Sequence, residues 1–508
     1  MKRISIKKWI LGTLLILLLI SIGSCIGVKS QINQHLGAKT EIVDTSIFKS
    51  SPSPIAITNV NVLSTDCAKM RDSLTVLIKN GKIESIGKNR IFSNEYKEID
   101  GTGQYLIPGL VDTHVHLKKS KNDLLLYLAN GVTTVGEMFG DKSHLQWRTE
   151  AETGALSPNI YVATRKIGSR KGLMLKIRSW FGREKNFTTE EKARKAIRRF
   201  KKQGYDAIKL STFLKPNIYQ AIIDECKKQN LPAIGHLSSE VGLEGLYTSG
   251  QSQLAHVEEI VKSTMNDFGP VYYNKSEEYL TYLRERCDAI AIKIKENNIV
   301  VSSTIWLVES FPKQKLELES FIKMIPLEYA NPGLVEGSKM AKGWTPGNNS
   351  YENLEAKNDP EMHKRSKMFW DTYVKAHQIM TKALIKHNVI ITAGTDANVA
   401  CAIAGFSLHE ELISLNNAGL SPAQVLQSAT LNAGKWMQYK IGKIEPGFEA
   451  DLVLLKKNPL ENINNTKTIQ AVITNGKLLD RETLDKMLLS VKEANNRSRK
   501  INIDQYIK

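Results

Sequence analysis

The order of hydrophobic and polar positions changes along the chain, and it begins with short alternating runs. Ile55–Leu63 and Leu74–Lys79 mix apolar and polar residues in the manner of half-buried β-strands. Asn80-Gly81 separates the second run from a third, and this dipeptide between two such runs is a strong hairpin signal. The pattern predicts a small β-structure at residues 55–108.

Beyond Pro108, short apolar runs alternate with helical segments, which favours a parallel α/β architecture. One helix is predicted to begin at a capping-box pattern, Thr188 to Glu191, and to end at Gly204. Eight strands in this order indicate a (β/α)8 (TIM) barrel at residues 109–437, whose chemistry lies at the carboxyl ends of the strands. The predicted strands are Gly109–Leu117, Thr133–Met138, Ile160–Thr164, Tyr205–Ser211, Pro232–Leu237, Gln253–Val257, Ile299–Ile305 and Val389–Thr395.

A second region of strand-and-turn texture follows a helix predicted from Ser421 to about Met437. Because residues 438–480 share the pattern of residues 55–108, we predict one small β-sandwich domain built from both flanks of the barrel. Residues 481–508 are helical at first, then polar and basic, and are predicted to form a C-terminal tail.

Residues 1–28 have the pattern of a signal peptide or a membrane anchor. A basic start precedes an uncharged run from Trp9 to Val28, so the positive end stays in the cytoplasm. The stretch ending at Cys25 resembles a bacterial lipobox, in which the cysteine is lipidated after cleavage, and the alternative is an uncleaved anchor. Both alternatives place the body outside the cytoplasm, tethered to a membrane of the cell envelope. Residues 29–54 are predicted to be a linker.

Composition excludes several classes of protein. With 42% hydrophobic and 24% charged residues, the 508-residue chain is neither disordered, nor collagen-like, nor a polytopic membrane protein. Its five cysteines are too scattered to indicate a disulfide framework. The length suits roughly two to four domains.

The net charge of +18 is concentrated in one region, since residues 165–202 hold fifteen Lys or Arg and three Glu. The first part of this region follows predicted strand 3 on the active-site face. There it is expected either to bind a substrate carboxylate or an anionic surface, or to be a solvated basic loop. No aromatic-interleaved motif accompanies the charge, so we predict no nucleic-acid partner. Self-association is left open.

The candidate site residues lie at the predicted carboxyl ends of the barrel strands. His114 and His116 end strand 1 and share one face, because residues two apart on a strand point the same way. Neutral imidazole is a good ligand for Zn²⁺, although a single His-x-His pair is a weak signal. Other strand ends carry Lys209, His236, His256 and Asp396. Since barrel strand ends meet at one face, we expect all six side chains to converge.

Seven stretches carry a resemblance to a known family, in order along the chain. They are Tyr105–His116, Asn130–Val135, Ala207–Leu210, Leu254–His256, Ala393–Ala397, Ala429–Ala433 and Gly447–Val453. Together they resemble the amidohydrolase superfamily, in its branch of imidazolonepropionase-like and Xaa-Pro dipeptidase-like enzymes. The resemblance extends from about residue 55 to residue 480 and implies a metal-dependent hydrolase.

The resemblance implies two divalent metal ions, commonly Zn²⁺, which share a bridging hydroxide and a carboxylated lysine. The implied ligands are His114, His116 and Asp396 for one ion and His236 and His256 for the other, with Lys209 as the bridge. A lysine between two cations is hard to keep protonated, whereas its carbamate is anionic. In the implied mechanism Asp396 takes a proton from the attacking water and delivers it to the leaving amine, while His256 or the second ion polarises the carbonyl.

Two departures from the family pattern and one insertion concern the substrate pocket. The family commonly has His-Ala-His at strand 5, whereas this chain has Ala233-Ile-Gly-His236. Gly136-Glu137 stands where Arg-Asp is usual. The insertion at residues 306–387, between strands 7 and 8, is expected to be either a lid or wall of the site or a peripheral decoration.

We expect a membrane-tethered, extracytoplasmic hydrolase that cleaves an amide or peptide bond, and we favour a dipeptide-like substrate because export fits peptide scavenging. The alternatives are a hydrolase of cyclic amides or lactones and a surface binding protein without turnover. His409, after strand 8, lies in another stretch that matches the family. It is expected either to support a metal ligand or to lie on a helix surface.

Overall fold

A computed structural model describes residues 23, 25–48, 52–88, 90–170, 172, 185–271 and 273–507. Its strands are β1 (Ile55–Leu63), β2 (Met70–Lys79), β3 (Lys82–Gly87), β4 (Lys97–Asp100), β5 (Tyr105–Pro108), β6 (Leu110–Val115), β7 (Val132–Gly140), β8 (Asn159–Thr164), β9 (Ile167–Gly168), β10 (Lys185–Asn186), β11 (Ile208–Leu210), β12 (Ala233–Gly235), β13 (Gln253–Ala255), β14 (Val300–Ser302), β15 (Ile391–Thr392), β16 (Leu452–Leu455), β17 (Ile469–Thr474) and β18 (Lys477–Asp480). Each of the eight predicted barrel strands overlaps one of these.

Helices alternate with the strands in the described residues. They are α1 (residues 25–35), α2 (Asp123–Ala129), α3 (Lys142–Glu152), α4 (Glu190–Lys202), α5 (Pro216–Lys228), α6 (Gly242–Ser249), α7 (Val257–Phe268), α8 (Ser276–Glu296), α9 (Ile305–Leu316), α10 (Leu318–Phe321), α11 (Pro332–Glu336), α12 (Leu354–Asn358), α13 (Pro360–Lys386), α14 (Phe406–Asn417), α15 (Pro422–Ser428), α16 (Leu431–Met437) and α17 (Arg481–Ser498). Short 3-10 turns lie at Thr45–Ile47, Tyr273–Lys275, Ile322–Met324, Leu327–Tyr329, Ile463–Lys467 and Asp504–Tyr506.

Strands from both flanks form one eight-stranded sheet, in the order β18-β17-β16-β5-β1-β2-β3 with β4 on β1. β5 pairs in parallel with β1 and antiparallel with β16, so it joins the two flanks. The strands of the two flanks therefore belong to one continuous sheet. Its apolar cluster includes the buried Ile57, Val76 and Leu452. Asn80 and Gly81 have φ of +52° and +73°, which suits the predicted hairpin between β2 and β3.

The central strands are all parallel and form two sheets, β6-β7-β8 and β10-β9-β11-β12-β13-β14-β15. Parallel bridges Ala163–Ala207 and Val115–Ala397 link the two sheets. The eight strands that overlap the predicted ones are thus linked to one another in chain order, all in parallel. This mixed α/β arrangement brings their carboxyl ends to one face.

The N-terminal segment expected to be a linker is instead docked on the body over much of its length. Lys119 N donates to Leu36 O at 3.0 Å, and Thr40 Oγ1 donates to Asn331 Oδ1 at 2.8 Å. Val43 and Phe48 are buried in the main core. A polar composition suggested a linker, but a few well-placed apolar residues are enough to hold such a segment down.

The C-terminal residues are also docked along α17. This helix buries Leu484, Met487 and Val491, and Ile503 beyond it is buried as well. Arg497 Nη2 pairs with Glu41 Oε1 at 2.9 Å, which connects the two terminal segments. The sequence predicted the start of this helix but not its packing.

Within the described part of the chain, no helix is both long enough and apolar enough to cross a membrane. Residues 1–22 lie outside the described residues, so the signal or anchor predicted there stays a prediction. Residues 171 and 173–184 of the basic region also lie outside them.

Candidate metal centre

The candidate residues of strand 1 meet those of strands 4 and 8. His114 and His116 lie at the carboxyl end of β6, with ring centroids 5.5 Å apart. Asp396 Oδ1 is 2.8 Å from His116 Nε2 and 3.5 Å from His114 Nε2. Lys209 Nζ is 3.1 Å from His114 Nε2. These four side chains form one contiguous cluster.

His236 and His256 extend the cluster from strands 5 and 6. The ring centroid of His256 is 4.5 Å from that of His114 and 5.4 Å from that of His236. One possible ligand atom each from His114, His256 and Asp396 lies within 4.8 Å of the others. The structure therefore brings all six predicted site residues to one place.

A buried carboxylate holds the loop after β15 against β6. Asp112 accepts hydrogen bonds from Thr395 N at 3.1 Å and from Thr395 Oγ1 at 2.6 Å. Asp396 N donates to His114 O at 2.8 Å. His256 and Asp396 have φ of +73° and +56°, and such strain persists only where the surroundings impose it, as they do at functional sites.

A second buried carboxylate fixes the end of strand 7 beside His256. Glu411 on α14 accepts hydrogen bonds from Ser303 Oγ at 2.5 Å and from Trp306 N at 2.8 Å. Between these two residues, Thr304 Oγ1 lies 2.8 Å from His256 Nδ1. The hydroxyl therefore restricts the orientation of the imidazole.

Sequence reasoning missed these supporting residues although it singled out their neighbourhoods. Asp112 lies inside the stretch that ends at His116, and Glu411 lies two residues beyond His409. A carboxylate within an apolar run was the available signal, because such a group is buried only with hydrogen-bond partners.

Burial controls the protonation of the cluster. Because Lys209 is fully buried, and because Lys166 is near it, its pKa falls to about 7. Burial also keeps the pKa of His114 well below its usual value. Burial acts to raise the pKa of Asp396, but His116 and His114 outweigh this effect and hold it well below the usual range. The cluster thus presents neutral imidazoles and an ionised carboxylate, the forms that bind metal.

The donor set fits divalent metal ions. The Nδ1 atoms of His114, His116 and His236 are buried and have no hydrogen-bond partner among the described residues. Buried polar atoms without partners are rare and need an explanation such as an ion. Imidazole nitrogens with a carboxylate are the ligands that Zn²⁺ and similar ions prefer.

The departure at strand 2, Gly136-Glu137, has a steric and a structural reason. A Cβ at Gly136 would lie 2.5 Å from Thr113 O, so the arginine usual in the family would not fit here. The neighbouring Glu137 is fully buried and accepts hydrogen bonds from Leu117 N and Phe139 N. It therefore ties strand 2 to the end of strand 1, next to the metal-ligand candidates.

The insertion at residues 306–387 borders the cluster. Its first helix, α9, contacts the loop after β15 through Gln314 Nε2, which donates to Ala400 O at 3.1 Å. Burial raises the pKa of the Tyr351 hydroxyl, and the carboxylates of Asp396 and Glu258 add to the effect. The insertion therefore contacts the loop that carries Asp396.

His409 has neither of its two expected roles. It is buried, with Nδ1 3.0 Å from Thr466 Oγ1 and Nε2 3.1 Å from Asn130 O. It therefore connects α14 to Asn130, in the turn before β7, and to the C-terminal flank. The surface alternative is wrong because both ring nitrogens are used inside the fold.

Gly394 is expected to be sensitive to substitution because of its place beside His114. A Cβ there would lie 2.6 Å from Ser302 Oγ and 2.8 Å from His114 Cβ. Gly394→Ala should displace the imidazole, reduce bound metal about tenfold and lower stability by about 1–3 kcal/mol. Metal analysis and thermal unfolding measure the two effects. Gly27→Ala is the matched control, since its Cβ would meet nothing within 4 Å. Equal metal content in the two variants would contradict the expected displacement of His114 by Gly394→Ala.

The chain is similar in sequence to several known proteins, and the aligned length differs widely among them. A 5'-deoxyadenosine deaminase from Methanosphaera stadtmanae is 25% identical over 472 residues, covering 87% of this chain and 96% of the relative. A dihydroorotase from Trichlorobacter lovleyi is 38% identical over 72 residues, 13% of this chain and 17% of the relative. An ochratoxinase from Aspergillus niger is 32% identical over 114 residues, 21% and 22% of the two chains. The chain thus spans less than a quarter of the length of the last two.

Solved structures share the fold at low sequence identity. A bottromycin amidohydrolase has a TM-score of 0.69 at 18% identity, covering 91% of this chain and 96% of its own. A Xaa-Pro dipeptidase with bound methionine has a TM-score of 0.58 at 18% identity, covering 84% and 100%. The model of the Amidohydrolase family matches residues 105–479, which include all six site residues. The chain belongs to the amidohydrolase family.

Proposed function

We propose that this amidohydrolase is built on a (β/α)8 barrel and uses two divalent metal ions to hydrolyse the amide bond of a dipeptide or related N-acyl amino acid. The observation that carries the proposal is the meeting of four imidazoles, one carboxylate and one buried lysine in a single cluster. The fold likeness to a Xaa-Pro dipeptidase supports the choice of substrate.

The proposed ligands are those that the family pattern implies. One ion would be held by His114, His116 and Asp396, the other by His236 and His256, with carboxylated Lys209 between them. Carboxylation requires a neutral amine, which adds to CO₂, forms an N–C bond and releases a proton. The lowered pKa of Lys209 supplies that amine near neutral pH.

Asp396 is the proposed proton carrier. Its ionised carboxylate can accept a proton from the attacking water and return it to the leaving amine nitrogen. Asp396 N donates to His114 O, which holds the carboxylate in place during the transfer. When bound, divalent cations supply Lewis acidity that makes hydroxide available near neutral pH.

The test is a metal analysis of the purified protein with a panel of dipeptides, N-acyl amino acids, cyclic amides and lactones. Bound metal with hydrolysis of the linear amides supports the proposal. Turnover of only the cyclic amides or lactones would contradict the proposed linear amide substrate and assign one of those two classes instead. Ligand binding without turnover would favour a binding protein.

Removal of the metal is expected to abolish turnover and to lower the melting temperature by about 5 °C or more, because an ion that binds only the folded state stabilises it. Chelation followed by dialysis gives the metal-free form, and added Zn²⁺ should restore both the turnover and the melting temperature. Full activity in protein shown to contain no divalent metal would contradict a metal centre.

We propose further that the enzyme acts outside the cytoplasm, with Cys25 as its lipid anchor. The proposal rests on the basic and apolar pattern of residues 1–28. Cys25→Ser should eliminate incorporation of labelled palmitate and release the protein from the membrane fraction if no uncleaved anchor is present. Loss of label without release would favour the uncleaved anchor.

A further inference from the structure

We propose that Glu259 is a positioning residue for His236 and thereby sets the affinity of the second metal site, formed by His236 and His256. The inference rests on the proposed two-ion centre and deepens it, because it names the group that holds one of the two ligands of the second ion. It is carried by a hydrogen bond from Leu237 N, directly after His236, to Glu259 Oε2 at 2.9 Å.

Strand 5 gives His236 only a short backbone support. β12 has three residues, and His236 lies directly beyond its end. Gly235 before it has a φ of +114°, and a Cβ there would lie 2.8 Å from Leu210 O. The backbone therefore passes Leu210 closely, in a conformation that favours glycine. His236 N still donates to Leu210 O at 3.1 Å, whereas the next N–H, that of Leu237, donates to the Glu259 side chain.

The imidazole of His236 depends on its backbone for orientation. Its Nδ1 atom is buried without a hydrogen-bond partner among the described residues, and its Nε2 atom lies 3.1 Å from Lys166 Nζ, which is a donor. An imidazole that binds a metal is usually oriented by a carboxylate or carbonyl that accepts from its other ring nitrogen. Since neither contact of His236 is of this kind, the position of the ring follows the backbone on both sides of it.

Glu259 links the ends of strands 5 and 6. The helix α7 begins directly after His256, and Glu259 belongs to its first turn, with 3% of its surface exposed. Its side chain reaches across to the residue that follows His236. Lys262 Nζ, one turn along the same helix, is 3.7 Å from Glu259 Oε1, the other oxygen of the carboxylate. One buried carboxylate therefore connects the two strand ends that carry His236 and His256.

The helix α7 is itself held against the insertion. Glu258, next to Glu259, accepts a hydrogen bond from Tyr373 Oη of α13 at 2.6 Å. Glu259 therefore acts from a fixed support and can set the position of Leu237. Because a metal site tolerates changes in ligand distance of only about 0.2 Å, a small shift of His236 is enough to weaken binding of the second ion.

The test measures zinc binding, which does not depend on knowing the substrate. Metal-free protein is titrated with Zn²⁺ in competition with a chromophoric chelator, in buffer with bicarbonate as the source of CO₂ for Lys209, to give a dissociation constant for each ion. Glu259→Ala removes the acceptor, Glu259→Gln keeps an acceptor oxygen without the charge, and Glu259→Asp keeps the charge on a shorter side chain. Glu225→Ala is the matched control, because Glu225 of α5 is also 3% exposed and pairs with Arg198 of α4 at 3.1 Å.

The wild type is expected to bind two ions, and Glu259→Ala to bind the second about tenfold to a hundredfold more weakly with little change in the first. Glu259→Asp should show the same selective loss, since its oxygen no longer reaches Leu237 N, and it carries the test if Glu259→Ala does not fold. Glu259→Gln should stay within about threefold of the wild type, because its amide oxygen accepts the same hydrogen bond. Glu225→Ala should bind both ions as the wild type does, although its melting temperature falls.

Unchanged affinity for the second ion in Glu259→Ala and Glu259→Asp would overturn the inference. An equal loss in Glu225→Ala would also overturn it, because the effect would then be one of general stability. A loss in Glu259→Gln as large as in Glu259→Ala would assign the effect to charge and reject the hydrogen bond. Fewer than two ions in the wild type would overturn the two-ion centre as well. Selective loss of the second ion in a protein that hydrolyses none of the panel would retain the positioning role and reject the proposed hydrolysis.

Discussion

Asp396→Asn is expected to reduce turnover by about 10³–10⁴-fold while the fold and much of the metal remain. Asparagine keeps the size of the side chain and one ligand oxygen, but it cannot accept and return a proton. The backbone contact from Asp396 N to His114 O does not depend on the side chain and should persist. Steady-state kinetics on the best dipeptide of the panel, together with metal analysis, measures the effect.

The control for this variant is Asp371→Asn. Asp371 is a half-exposed residue of α13 that pairs with Lys367 at 2.8 Å, so the same chemical change there should leave kcat unaltered. Turnover of Asp396→Asn within about threefold of the wild type would remove this residue from proton transfer. Loss of turnover in parallel with complete loss of metal would assign it to metal binding alone.

Lys209→Ala is expected to lower metal content from two ions towards one or none and to reduce activity at least about a hundredfold. Lys209 is fully buried with its Nζ 3.1 Å from His114 Nε2, and it is the bridging ligand that we propose. Short carboxylic acids, such as acetate or propionate, should enter the space left by the lysine and partly restore both metal and activity. The measurement is metal analysis and kinetics with and without the added acid.

Lys215→Ala is the matched control for Lys209→Ala, because this lysine is exposed at the start of α5, six residues along the chain. Its metal content should equal that of the wild type. Full metal loading in Lys209→Ala would contradict the bridge. Reduced loading without any rescue by carboxylic acids would favour a purely structural role for the lysine.

Much of the central fold could be predicted from the sequence because strand periodicity and strand ends are local features. His114 and His116 were placed by their spacing on one strand, and Lys209, His236 and His256 by their positions at successive strand ends. The predicted ends of the strands are less accurate than their order. β13 ends at Ala255 and β15 at Thr392, short of the predicted ends, and His256 and Asp396 beyond them have positive φ.

The docking of the two terminal segments could not be predicted in the same way. Residues 29–48 are polar on average, and their position depends on contacts with residues far along the chain, such as Asn331 and Arg497. The same holds for His409, whose partners lie before β7 and in the C-terminal flank. A local pattern carries no information on partners so distant in sequence.

By itself, the sequence determined the order of eight of the central strands and the identity of six residues at or near their ends, because these follow from side-chain alternation and chain order. Only the tertiary structure decided which groups hold those six in place. Asp112, Thr304 and Glu411 act through hydrogen bonds between segments that are remote along the chain. It also decided that Lys166, one of many basic residues in its region, turns inward to His236, since that depends on how a loop packs on the neighbouring strand.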